Sequence, residues 1–353
     1  MRVNIFRKDV TKAQVAQDFC PEKRKEAKLM VVYRQTGKIE HRSFYDIADY
    51  FTQGDVFVFN KSYLLNGVFL LEGRKGEYLS LLRENEDFVW EANFSSIRKV
   101  KQGNVFYFSQ LGCYAEIIEN LSARKKRIFF FVDKDKSHAS HLSHDEFMRR
   151  IKTYGSIKME KYVGRVFKNT DIENIKDIFA SDFGSLVPNV AGLHFSEYLV
   201  KKMQVNGVVF STLTYHVVDD SMIKLGARTL DGDRIFPERC YISRENISEI
   251  NNAYSQKKRI CAVGFSTASA LENLFNLSVK RIVNDDILMQ FSPVVPSHFK
   301  LTNAYLTNFY FPGHLSLKID SGFCGDELLG NVYRAAIENN YNFSIYGDSL
   351  LIL

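Results

Sequence analysis

The chain has 353 residues, room for two domains or one large domain with an insertion, and its 45% hydrophobic content suits a globular core. Forty-seven lysines and arginines against 41 aspartates and glutamates leave a net charge of +6, which permits a nucleic-acid partner without requiring one. The five cysteines are scattered and form no CxxC pair, and the first nine residues hold no apolar signal core, so a soluble, cytoplasmic protein without a disulfide framework is expected.

In chain order, a basic cluster (Lys23, Arg24, Lys25, Lys28) precedes a hairpin signal, with strands at 29–33 and 39–44 around Gly37. Residues 44–51 read as a short amphipathic stretch, and 56–60 as a buried strand ending at Asn60. Six short strands follow, at 68–71, 78–82, 88–93, 105–108, 114–118 and 127–132, separated by glycine turns. That spacing reads as a small β module. Arg124, Lys125, Lys126 and Arg127 tip one of its hairpins, a pattern that suits either phosphate contact or a solvated turn. His138, His141 and His144 recur every three residues, but Ser143 with Glu146 looks like a capping box that starts a helix after His141, so no metal site is expected.

Beyond residue 145, helical and strand patterns alternate, which indicates α/β architecture. In 186–195 a proline and a glycine bracket an apolar turn, His194 stands just before the N-cap candidate Ser196, and Leu199, Val200 and Met203 recur at helical spacing up to Asn206-Gly207. An apolar strand at 208–218 carries His216. A strand at 259–264 runs through a turn at 265–267 into a helix at 268–275. This would place Ser266 and Thr267 at the carboxyl edge of a sheet, where open α/β sheets bind ligands. A strand at 301–309 carries Asn303 and Asn308, and a helix from Asp326 ends at Asn339-Asn340.

Several stretches taken together resemble the S-adenosylmethionine:tRNA ribosyltransferase-isomerase (QueA) family of queuosine biosynthesis. Gly54-Asp55 and the strand to Asn60 resemble its GD-LLV-NDTRV segment, and 191–195 matches AGLHF. Val263-Gly264 with Ser266, Thr267 and 270–272 resembles VGTTSVRALE. Residues 306–309 with Pro312 resemble LLTNFHLP, Phe323 and Gly325 match SAFAG, and 346–348 matches the terminal YGD. The order and spacing run in register along nearly the whole chain.

The resemblance implies an α/β, QueA-like fold: an αβα layered domain formed by 1–60 and 145–353, an inserted small β-barrel domain at 61–135, and a linker at 136–144. It implies S-adenosylmethionine as a ribosyl donor, no metal, and the anticodon stem-loop of tRNA as partner, for a monomer or homodimer. Carried onto this chain, it gives His194 and Glu238 as catalytic residues and Asn60, Gly192, His216, Ser266, Thr267 and Asn308 as donor-binding residues. Arg124, Lys125, Lys126, Arg127, Arg149 and Arg150 are the nucleic-acid candidates. The chain also departs from the family pattern. Both arginines of NDTRV-PAR are missing from 60–68, the threonine of APTAGLHF is Val190, and of H-x-M-H-x-E only Glu238 remains. Two alternatives follow: a diverged paralogue using the same sulfonium chemistry on another acceptor, or a non-catalytic binding protein on the same fold.

Overall fold

Strand β1 (Lys28–Tyr33) shows how the larger part of the protein is layered. Leu29 and Val31 join one buried cluster, Met30 and Val32 the other, because successive side chains of a strand face opposite ways. The computed structural model describes residues 14–16, 26–98, 100–132, 142–157, 165, 169–217, 237–290, 299–311 and 316–353, with the side chains of 237–239 and 286–290 outside that description. The chain folds as two compact units, the smaller one Leu64–Met159 and the larger one Met1–Tyr63 with Glu160–Leu353.

In the larger unit, β1 pairs antiparallel with β2 (Lys38–Ser43) through a turn at Gly37. Ser43 then caps a 3-10 helix, Phe44–Tyr50, and Asp46 accepts in return from the Ser43 N–H. Strand β3 (Val56–Asn60) is buried at every position, as expected of a central strand covered on both faces. The chain then passes through β4 (Ser62–Leu64) into the smaller unit.

There, β5 (Val68–Leu70), β6 (Tyr78–Glu86), β7 (Val89–Phe94), β8 (Val105–Phe108), β9 (Cys113–Asn120) and β10 (Lys125–Phe131) form one antiparallel sheet in the order β5-β6-β7-β10-β9-β8. The Ser109 N–H just past β8 donates to Glu72 just past β5 at 2.8 Å, and the rings of Phe69 and Phe108 meet at 6.1 Å. Those contacts draw the two edge strands together into a small barrel. Helix α1 (His144–Tyr154) starts where its cap signal places it, with the Ser143 hydroxyl accepting from the Glu146 N–H, and its Phe147 packs on Phe88 and Phe130.

Back in the larger unit, α2 (Asn169–Asn174) and β11 (Asp182–Ser185) precede α3 (Glu197–Val205), which leads to β12 (Val209–Tyr215). Strand β13 (Pro237–Tyr241), α4 (Arg244–Ser255), β14 (Ile260–Val263) and α5 (Phe265–Leu274) follow. A hairpin of β15 (Phe275–Asn276) and β16 (Arg281–Ile282), then β17 (Asp286–Gln290), β18 (Ala304–Asn308), α6 (Ser316–Cys324), α7 (Asp326–Glu338) and β19 (Ser349–Ile352) complete the chain. Nine strands form one sheet in the order β17-β13-β12-β3-β14-β18-β19-β1-β2. β12, β3, β14 and β18 run parallel to one another, and β19 returns antiparallel to β18. Helices α4 to α7 cover one face; α3 and the 3-10 helix cover the other. This is the expected αβα layering.

Helix α3 agrees with its sequence signals: Ser196 accepts from the Leu199 N–H, and Asn206 is the C-cap. Helix α5 does not. It begins at Phe265, directly after Gly264, so the residues expected as a turn form its first helical turn. The positive-φ backbone of Gly264 (φ +87°) makes the strand-to-helix corner in a single residue.

One core residue breaks the apolar pattern. Asp320 on α6 is fully buried near Tyr305 and Tyr333, and burial pushes its carboxyl well above the usual carboxylate range. Because its folded-state pKa is raised, the stability it supports is complete below the ordinary value of 3.8 and falls as pH rises from there toward the folded value. Each pH unit inside that window costs up to about 1.4 kcal/mol. The Asp320→Asn variant is therefore expected to be more stable than the wild type at pH 7, and no more stable at pH 3.5. Urea midpoints at the two pH values check this.

Candidate active site

The carboxyl ends of β12, β3, β14 and β18 lie on one edge of the sheet, because the four strands are parallel and adjacent. The chain thus brings Tyr215-His216, Asn60, Gly264-Ser266 and Asn308 to one edge. β19 and β1 start there, so Asp348 also reaches it, accepting from the Lys28 N–H and the Asn342 N–H at 2.8 Å each. Burial raises the Asp348 carboxyl pKa against those two bonds.

Asn60 is 2% exposed, and its carboxamide is fully used. Nδ2 donates to the Tyr215 carbonyl at 2.8 Å, while Oδ1 accepts from the Tyr215 N–H at 3.0 Å and the Ser62 N–H at 3.1 Å. Ser266 lies 3.5 Å from Nδ2. Asn60 therefore acts through its neighbours' placement. Thr267 is fully buried, and its hydroxyl donates to the Val263 carbonyl at 2.7 Å, a bond within the helix start that leaves the hydroxyl turned inward.

The turn at 189–195 lies over this edge. Asn189 donates to the Asn60 carbonyl at 3.1 Å, and Asn308 Nδ2 approaches the carbonyls of Val190 and Ile345, at 3.4 Å each. Asn308 is wholly buried, and its Oδ1 has no hydrogen-bond partner among the described residues. At Gly192 a Cβ would stand 2.6 Å from Asp177 Oδ2, so the glycine admits that carboxylate. His194 is 4% exposed, and its Nε2 lies 2.9 Å from the Gly347 carbonyl. A carbonyl only accepts, which puts the proton on Nε2 and leaves the lone pair of the neutral ring on Nδ1. The ring packs against Phe44 at 5.2 Å.

His216 lies beside Asn60. Its Nδ1 is 2.6 Å from Ser62 Oγ, and burial lowers its pKa, partly opposed by Asp182. Burial would raise the Asp182 carboxyl, but the Thr214 and Ser181 hydroxyls and Lys61 hold it below the ordinary value.

The remaining expected residues lie elsewhere. Glu238 sits in β13 opposite Met289, with its side chain outside the described residues. The basic candidates belong to the smaller unit. Arg124 is exposed, whereas Lys125 pairs with Glu91, Arg127 with Glu119, and Arg149 and Arg150 with Glu146. Lys126 is buried and donates to the Ser122 carbonyl.

Sequence reasoning did not single out Ser62, Asn189, Asp177 or Asp171. Asp171 receives both terminal nitrogens of Arg165 at 2.7 Å and the Tyr346 hydroxyl at 3.0 Å, which ties α2 to the YGD segment. A signal existed only for Asn189, a turn-forming residue directly after Pro188.

An open mixed sheet with four parallel strands at its centre, covered on both faces, interrupted in the chain by a small antiparallel barrel and carrying a polar cluster at the carboxyl edge of those four strands, defines an α/β protein of two compact units with a candidate ligand site at that edge. The sequence profile of the family described as queuosine biosynthesis protein matches residues 3–352. The chain is 32% identical over 335 residues to the S-adenosylmethionine:tRNA ribosyltransferase-isomerase of Cytophaga hutchinsonii, covering 94% of each. It is 32% identical over 351 residues to the protein of the same name from Flavobacterium psychrophilum, covering 96% of this chain and 97% of the relative. The crystal structure of an S-adenosylmethionine tRNA ribosyltransferase from Thermotoga maritima shares the fold, with a TM-score of 0.53 at 22% identity over 98% of both chains. The chain belongs to the queuosine biosynthesis protein family.

Proposed function

We propose that this protein is an enzyme that transfers the ribosyl moiety of S-adenosylmethionine to a 7-aminomethyl-7-deazaguanine base in tRNA and isomerises it to epoxyqueuosine. The observation carrying this reading is the convergence of Asn60, His216, Ser266 and Asn308 on one carboxyl edge, in a chain that matches the family from end to end.

The sulfonium of the donor acidifies the adjacent ribose carbon. A base removes that proton, the resulting ylide expels adenine, and the aminomethyl nitrogen attacks the sugar. Rearrangement to the epoxycyclopentanediol then releases methionine. His194 suits the base, because its bond to the Gly347 carbonyl leaves the lone pair on Nδ1. Glu238 is the second catalytic candidate. The open Oδ1 of Asn308 suits a donor group on the ligand, such as a ribose hydroxyl. Gly192, beside Asp177, and Ser266, beside Asn60, are the further donor-binding candidates, with Thr267 in a supporting role through its bond to the Val263 carbonyl. On the smaller unit, exposed Arg124 is the best placed of the basic candidates for a tRNA phosphate.

Calorimetric titration with S-adenosylmethionine, alongside mass spectrometry for free adenine and methionine, tests the reading. Saturable binding, and release of both products when queuosine-deficient tRNA is present, is the expected result. Absence of binding at millimolar donor contradicts it, and turnover that does not need tRNA transfers the reading to another acceptor.

A further inference from the structure

We infer that Ser62 is a positioning residue that fixes the tautomer of His216, so that His216 presents Nε2–H to the bound ligand as a neutral hydrogen-bond donor. This rests on the proposed function only for the identity of the ligand.

The pair is held from every side. Asn60 Oδ1 accepts from the backbone N–H of both Ser62 (3.1 Å) and Tyr215 (3.0 Å), so one carboxamide anchors the serine and the residue preceding the histidine. Beyond the histidine, the Val217 N–H donates to Ser185 Oγ at 3.2 Å and the Leu186 N–H to the Val217 carbonyl at 2.8 Å. The imidazole lies flat over Gly184. A Cβ there would stand 3.0, 3.1 and 3.2 Å from Cε1, Nδ1 and Nε2, and φ is +150°. Nearly equal distances to three ring atoms mean that the glycine supports the ring face, and that a larger residue would displace it.

The hydroxyl decides the proton. Ser62 is 2% exposed, and its Oγ meets Nδ1 at 2.6 Å with no other hydrogen-bond acceptor among the described residues. Were Nδ1 protonated, the hydroxyl hydrogen would be buried without an acceptor, an unfavourable arrangement. Donation from Oγ–H to Nδ1 satisfies both groups and places the ring proton on Nε2. No described side chain or carbonyl accepts from Nε2. Ser62 and His216 therefore deliver one N–H to the carboxyl edge, beside Asn60 and Ser266. A neutral acceptor on the donor nucleoside, a purine nitrogen or a ribose oxygen, suits it, and His216 in this tautomer does not serve as the base.

The test is a ring nitrogen–proton correlation spectrum of His216 at neutral pH, recorded without ligand on wild type, Ser62→Ala and Ser62→Thr. The Nε2–H tautomer is expected in wild type and Ser62→Thr, and a mixture of tautomers in Ser62→Ala. An Nδ1–H ring in the wild type, or Ser62→Ala signals identical to wild type, overturns the inference. Affinity for S-adenosylmethionine is expected to fall about tenfold in Ser62→Ala, as for one lost hydrogen bond, and to return in Ser62→Thr; unchanged affinity in Ser62→Ala removes Ser62 from donor binding and overturns the positioning role. Because the spectrum needs no ligand, a wild type that binds no donor yet shows the Nε2–H ring contradicts the proposed function and leaves the tautomer assignment standing.

Discussion

Replacing Asn60 with alanine is expected to lower stability by about 3–5 kcal/mol and to abolish donor binding in whatever protein still folds. The substitution leaves the Tyr215 carbonyl and the N–H groups of Tyr215 and Ser62 without their partner at a site that is 2% exposed. Each orphaned buried group costs about 1–3 kcal/mol. The loss also releases the ends of β3 and β12 from each other, so Ser62 and His216 lose their common anchor. Asn60→Asp separates charge from shape. Its carboxylate places an oxygen against the Tyr215 carbonyl where Nδ2 donated, so the variant folds best with that carboxyl protonated. Its urea midpoint is expected to rise as pH falls from 7 to 5, whereas that of Asn60→Ala does not follow this trend. A stability for Asn60→Ala within about 1 kcal/mol of wild type rejects the anchoring role.

Gly264→Ala combines two penalties that can be separated. The extended positive-φ backbone at Gly264 (φ +87°, ψ 156°) is essentially restricted to glycine and costs another residue roughly 1–3 kcal/mol. In addition, the new Cβ would collide with Asn189 Oδ1 and stand 3.5 Å from Ala191 Cβ, so Asn189 must move and its bond to the Asn60 carbonyl is lost. Gly325 supplies the control. Its φ is +89°, with nothing within 4 Å of the point where a Cβ would stand. Gly325→Ala should therefore show the backbone cost alone, and Gly264→Ala that cost plus about 1–2 kcal/mol from the displaced turn. Chemical denaturation of the two variants measures the difference. Equal losses mean that the turn at 189–192 is not held against Gly264.

The fold was legible wherever local chemistry decides it. Ser196 and Ser143 announced their helices through the cap bond, Gly37 its hairpin, and the six glycine-punctuated strands their antiparallel sheet. The start of α5 was not legible. Ser266 and Thr267 favour caps and turns in isolation, but Gly264 turns the corner before them and Thr267 satisfies its hydroxyl on Val263.

The site was legible only through its motifs. Asn60, Ser266 and Asn308 fall together because strand order places them on one edge, which no spacing in the chain reveals. The histidines differ for the same reason. Nothing near residue 194 indicates that its ring meets Gly347, 153 positions away, nor does residue 216 point to Ser62, 154 positions earlier. Pairing in the basic hairpin was likewise not legible, because charge counts do not show it: Lys125 and Arg127 have carboxylate partners on their own sheet, whereas Arg124 is exposed.

The central claim is that the ribose of the donor ends up on tRNA. Wild-type protein incubated with queuosine-deficient tRNA and S-adenosylmethionine carrying a carbon label in its ribose, followed by nucleoside digestion and mass spectrometry, tests it most directly. Label in a modified deazaguanosine, in step with free adenine and methionine, is the predicted result. Label confined to small molecules, with the tRNA nucleosides unchanged, contradicts the account.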